Sequence, residues 1–268
     1  MRCIATGFAR LTFKNMELLR IEYFFCILVR SSGFVFTAPF FNIKNVPRRV
    51  KVGFTLALSV VLYAVLPYNR LDYNGIFGYS TLIVGELLAG LVLGFLSNIC
   101  YQILAFAGQL IDTEIGLSMV NEFDPVTSAQ VTITGNLYSY AVMLMLMVTY
   151  MHHYLLSALV DSYTLIPVGG VNISSEIYSV MVKFMTDYFV IAFRIVLPIF
   201  ASILIVNTVL AILAKVAPQM NMFVIGIQLK VLVGLAVLLV MIELLPAVGD
   251  FIFGKMMEVL RAAIGYLG

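Results

Sequence analysis

GQLIDTEIGLSMVNEFDPVTSAQ, residues Gly108–Gln130, carries Asp112, Glu114, Glu122 and Asp124 and no Lys or Arg. Before it runs Ser80–Ala107, whose single charge is Glu86, and after it Val131–Val160, which has no formal charge. About 20 apolar residues at helical rise cross a hydrocarbon core, so both flanking runs read as membrane helices. A connector between two such helices needs only a few residues. An acidic stretch of this length therefore reads as a loop with a task of its own.

The rest of the chain has the same character. Of 268 residues 62% are hydrophobic and 11% charged, against roughly 25% charged in soluble domains. With a mean hydropathy of +1.04, this is the composition of an integral membrane protein. The net charge of +2 gives no basis for nucleic-acid binding. Cys3, Cys26 and Cys100 have no CxxC or Cys/His spacing and read as packing residues. Residues 1–15 are basic (Arg2, Arg10, Lys14) but lack an apolar core and a small-residue cleavage site, so they do not read as a removable signal peptide.

Six runs meet or approach the length of a span: Leu18–Phe41, Val52–Leu66, Ser80–Ala107, Val131–Val160, Tyr188–Ala214 and Met222–Gly249. The expected fold is all-α and polytopic, about six long helices arranged as hairpins. Residues 1–17 form a basic tail, and 18–268 a single helical membrane domain. The excess length of several runs implies tilt, extension beyond the bilayer, or breaks at Pro198 and Pro246. Lys44, Arg48, Arg49 and Lys51 crowd one connector, which the positive-inside rule places in the cytoplasm. Both tails are basic as well, so the Lys and Arg count does not fix the orientation.

Arg30, Glu86, Arg194, Lys230 and Glu243 lie within or at the edge of these runs. A charge at a helix centre costs on the order of 2.5–3.5 kcal/mol on insertion scales, so these side chains should face protein or water. Snorkelling from helix ends is the alternative, and it competes evenly for Arg20 and Glu22. For Glu86, Arg194 and Lys230, set deeper, partner pairing is the expectation. Gly85, Ala89, Gly90 and Gly94 supply small residues at four-residue spacing, which permits close helix approach. No catalytic, cofactor-binding or metal-binding set is expected. His152 and His153 are adjacent and point to different helix faces, and the island matches neither a phosphate loop nor a calcium loop.

Two segments carry a specific resemblance. GQLIDTEIGLSMVNEFDP (Gly108–Pro125) and LAKVAPQMNMFVIGIQLK (Leu213–Lys230) are similar to the signature stretches of the FliR family, a component of the flagellar type III export gate. RSSGFVFTAPFFNIKNVPRRVKVGF (Arg30–Phe54) and the segment His152–Gly170 support it, in unbroken order from about Leu18. The related injectisome component, of SctT type, has similar motifs, and MFVIGIQLK resembles the flagellar form more. Gln228 stands where the family commonly has Pro, and residues 1–15 fall outside the pattern.

The resemblance implies a non-enzymatic, pore-forming subunit without cofactors in the bacterial inner membrane, at the flagellar basal body. Its partners would be FliP and FliQ homologues, FlhB and FlhA, and its cargo unfolded flagellar subunits. Residues 18–187 would be the FliP-like part, containing the acidic loop 108–130, and 188–268 the FliQ-like hairpin. Gly108, Gln109, Asp112, Glu114, Gly116, Leu117, Met119, Phe123, Asp124 and Pro125 would belong to a loop that plugs the pore. Lys215, Pro218, Gln219 and Asn221 would form the hairpin turn at its cytoplasmic mouth, with Gln219 and Asn221 capping helix ends. Two other readings remain open on residues alone. One is a secondary transporter with substrate among Glu86, Arg194 and Lys230; the other is a scaffold without a conduit.

Overall fold

The computed structural model describes residues 2–41, 46–118, 132–172, 174 and 176–268, the side chains of 2–19 excepted. These residues are all-α. In chain order the helices are α1 (Arg2–Thr37), α2 (Arg48–Val65), α3 (Gly75–Ile115), α4 (Ile133–Val148), α5 (His152–Leu165), α6 (Glu176–Val216), α7 (Met222–Met241) and α8 (Leu245–Leu267). A 3-10 turn, Ile242–Leu244, links the last two.

Three stretches are long and apolar enough to cross a membrane: Gly75–Ile115, Glu176–Val216 and Met222–Leu267. The pair α4 and α5 passes the same test together but is bent by 74°. In the apolar window of Met222–Leu267 only 17% of residues are buried within the chain, so lipid or another protein must cover the rest.

The run Val131–Val160, expected as one helix, is therefore two. The cause is a Schellman turn: Met151 N–H bonds to Leu146 O (3.0 Å) and Tyr150 N–H to Met147 O (3.2 Å). Tyr150 takes the left-handed position that glycine usually fills, with φ 58°. Of the alternatives for the excess length, a break at Pro198 is not taken, since this proline lies inside α6. Near Pro246 the chain tightens into the 3-10 turn instead of ending a span. The connector expected over Asp161–Asp187 is helical at both ends, because α5 runs to Leu165 and α6 begins at Glu176.

The chain divides into two compact units. The first comprises Met1–Asn98, His152–Val182 and Met256–Gly268; the second comprises Ile99–Met151 and Lys183–Lys255. In the first unit α1 packs on α3 through glycine. A Cβ on Gly90 would lie 2.1 Å from Arg30 O, and one on Gly94 would lie 2.8 Å from Phe34 O. Only hydrogen fits there, which is the use of the small-residue spacing. Tyr23, Ile27, Phe34, Ala89 and Leu93 fill the core around this crossing. Cys26 is buried in the same unit and Cys100 in the other, which agrees with a packing role.

In the second unit α6 and α7 form the expected hairpin. Gly226 lies beside Leu210, with 3.3 Å between a built Cβ and Leu210 Cδ1, as antiparallel helices turning at Pro218 require. The expected capping is not found. Asn221 occupies the N-cap of α7 without a side-chain cap bond, and the turn closes instead through Met220 N–H to Ala217 O (3.1 Å).

Replacing Gly90 by alanine should overpack the α1–α3 crossing and destabilise the purified chain by about 1–3 kcal/mol. Gly53→Ala, at a position with nothing within 4 Å, should be neutral or stabilising. Thermal unfolding in detergent measures both, and equal melting temperatures would contradict the tight crossing.

Candidate functional site

The acidic island begins on a helix. Gly108, Gln109, Asp112 and Glu114, expected in a loop, occupy the last turns of α3, which continues to Ile115. Buried apolar residues at Ile111 and Ile115 hold these turns against protein, and that burial outweighs the acidic composition. Gly116 then ends the helix with φ +94° and donates its N–H to Asp112 O (3.1 Å). Leu117 follows, half-buried. Met119, Phe123, Asp124 and Pro125 lie outside the described residues, as does Glu122.

The base of the island is a contact between α3 and the first turn of α4. Here Gly108 does not make a bend; it lets two backbones touch. A Cβ on it would stand 2.1 Å from Gly135 Cα, and one on Gly135 would stand 2.9 Å from Ala105 O. One turn further along, the buried Asp112 side chain reaches across to α4. The Thr134 N–H donates to both carboxylate oxygens, at 3.2 and 3.1 Å, and the Thr134 hydroxyl donates to Oδ1. Thr132, the N-cap residue of α4, makes no side-chain cap bond. Asp112 therefore does a capping residue's work from a neighbouring helix, with its negative charge at the positive end of α4. Tyr101 adds a hydrogen bond to Ser139 O (2.8 Å), and Ile115 lies over Gly234 of α7.

Ser118 and Thr132, the described residues on either side of 119–131, thus flank a clamped pair of helices. Thr134 and Gly135 were not among the expected site residues. The available signal was Gly108 and Asp112 four apart on one helix face, with Thr134-Gly135 just after the island.

The intramembrane charges separate into two groups. Arg30 and Glu86 are fully buried and paired, Nε to Oε2 at 2.5 Å and Nη2 to Oε1 at 3.0 Å. Arg30 Nη1 also donates to Ser162 O and Ile166 O, both at 3.1 Å, and the guanidinium lies 4.3 Å from the Tyr163 ring centroid. Glu86 Oε1 accepts the Gly169 N–H at 2.7 Å. Arg194 and Glu243 are exposed and Lys230 half-buried, and none of the three has an ion pair among the described residues. Glu22 accepts a hydrogen bond from Tyr73 (2.6 Å), which raises the Tyr73 hydroxyl above its ordinary pKa. Lys215, Pro218, Gln219 and Asn221 are all exposed at the hairpin tip.

Glu86→Gln should cost about 3–5 kcal/mol, because it leaves the Arg30 guanidinium buried without a counter-charge. The double replacement Arg30→Leu with Glu86→Leu should cost less than the sum of its singles. Unfolding of the four proteins in detergent gives the coupling, and strict additivity would mean that the two charges act independently.

Comparison with known sequences matches residues 21–256 to the family described as bacterial export proteins, family 1. Among individual relatives, the flagellar biosynthetic protein FliR of Bacillus subtilis (strain 168) is 33% identical over 217 residues, covering 78% of this chain and 82% of that one. FliR of Escherichia coli (strain K12) is 28% identical over 215 residues, 80% of this chain and 82% of the relative. FliR of Buchnera aphidicola subsp. Schizaphis graminum (strain Sg) is 30% identical over 226 residues, 84% and 87%.

Proposed function

The chain belongs to the bacterial export proteins, family 1, and from that premise we propose that it is a membrane subunit of the flagellar protein export apparatus. The naming of its relatives as flagellar biosynthetic proteins supports the flagellar assignment. The finer reading is a non-enzymatic, pore-forming subunit in the bacterial inner membrane. It assembles with FliP and FliQ homologues, meets FlhB and FlhA on the cytoplasmic side, and passes unfolded flagellar subunits.

The observation that carries this reading is the clamp at the base of the island. Gly108 against Gly135 and Asp112 on Thr134 hold the two stems of residues 119–131 together. A simple connector gains nothing from a buried carboxylate and a glycine contact at its base. A segment that must stay at one place in a water-filled path does, because irregular backbone at membrane depth is tolerated only beside water or within protein. The mechanism follows: the clamped stems fix where the segment projects, and the projecting part narrows the path until cargo displaces it. The exposed tip at Pro218 and Gln219 supplies a polar surface for the cytoplasmic partners.

Deleting residues 119–125 should raise ion conductance through the assembled complex while leaving assembly intact. Ile115 is kept because it packs over Gly234. Asp112→Ala, which loosens the stem, should raise conductance less. Planar-bilayer recordings on the purified complex measure this, and wild-type conductance in a correctly assembled deletion protein would falsify the plug.

A cysteine at Gln219, with native cysteines replaced, should react with a membrane-impermeant thiol reagent from the cytoplasmic side and be protected when partner proteins are co-expressed. Labelling from the periplasmic side would reverse the orientation. Equal labelling with and without partners would remove the turn from the interface.

A further inference from the structure

The second unit contains a groove of about 410 Å3 walled by apolar residues of α3, α6, the 3-10 turn and α8, among them Leu104, Ile195 and Phe251. Its size falls within the roughly 300–1,000 Å3 of small-molecule sites. Among the described residues Arg194 is the only charged one in its wall. Tyr138 forms part of the same wall, and its buried hydroxyl has no hydrogen-bond partner among the described residues.

The depth of Arg194 in the membrane follows from the sequence. From Ile195 to Ala214 the chain has no charge, and Lys215 comes next. That stretch is about 20 residues, one hydrocarbon thickness at helical rise. Arg194 and Lys215 therefore bracket the apolar core of α6, which puts the Arg194 guanidinium at the level of lipid headgroups. Arg194 is exposed and has no ion pair among the described residues, so its guanidinium is open to an anion there. The planar guanidinium suits a phosphate.

We propose that this groove is a binding site for a glycerophospholipid. One acyl chain lies between α6 and the α7–α8 turn, against Ile195 and Phe251, and the phosphodiester is held by Arg194. The Tyr138 ring walls the acyl chain, as aromatic residues do near membrane interfaces. The recognised feature is the phosphodiester next to an acyl chain, whatever the headgroup beyond it.

Native mass spectrometry of the delipidated full-length chain in a non-ionic detergent tests this, with phosphatidylglycerol and phosphatidylethanolamine as probes. Either lipid should bind saturably at one site, and inorganic phosphate should not displace it. Arg194→Gln should weaken binding about tenfold, the size expected for one lost charge-assisted hydrogen bond. Ala247→Trp, which fills the groove from an exposed position, should abolish the saturable site, with an unchanged melting curve showing that the variant is folded. Equal lipid retention by wild type and both variants overturns the proposal. So does a cysteine at Ala247 that is protected by added export-apparatus proteins but not by lipid, which would assign the groove to a protein helix.

Discussion

The Arg30–Glu86 pair is the interaction on which the first unit depends. Neither charge can stay unpaired in a membrane protein interior, and each is fully buried. The pair is bidentate, so it fixes the rotation of α1 against α3 as well as their separation. Arg30 Nη1 takes the Ser162 and Ile166 carbonyls at the end of α5, and the remaining capacity of Glu86 takes Gly169 N–H in the segment after it. One ion pair thereby ties two long helices to the end of α5 and the segment after it. It also gives the N–H of Gly169, at φ +84° in the irregular backbone after α5, a partner.

Close helix approach is the second constraint. The guanidinium and carboxylate meet because α1 and α3 cross with no side chain between their backbones at Gly90. The second unit repeats the device at Gly108 and Gly135, where Asp112 provides the polar bond on Thr134. In both places a glycine contact brings a buried acid within reach of a donor on the facing helix. The difference is in the partner: a full charge for Glu86, and the N-terminus of a helix for Asp112. A carboxylate bonded to backbone N–H needs no arginine, which is how Asp112 can be buried at the base of the island.

The many exposed apolar residues complete this picture. Leu239, Val240, Phe193 and Leu197 stand in the open on the apolar helices of the second unit. A chain with this surface is finished by its surroundings, lipid on some faces and protein subunits on others.

The sequence by itself determined the membrane class, the number of apolar runs and the family, since hydropathy and the two signature segments are local properties that no packing alters. It also made the α6–α7 hairpin legible, because Pro218 and its polar neighbours interrupt an otherwise unbroken apolar pattern. Tertiary structure decided where the island begins. Ile111 and Ile115 find cover, so the helix outlasts its apolar composition as far as Gly116. It decided the bend at Tyr150, which depends on a left-handed residue that no glycine announced. It also chose which charges pair. Arg30, Glu86 and Arg194 look alike in sequence, each a charge set in an apolar run. Pairing requires two side chains to meet across a helix crossing, and only the packing of α1 on α3 brings Arg30 to Glu86 while leaving Arg194 exposed.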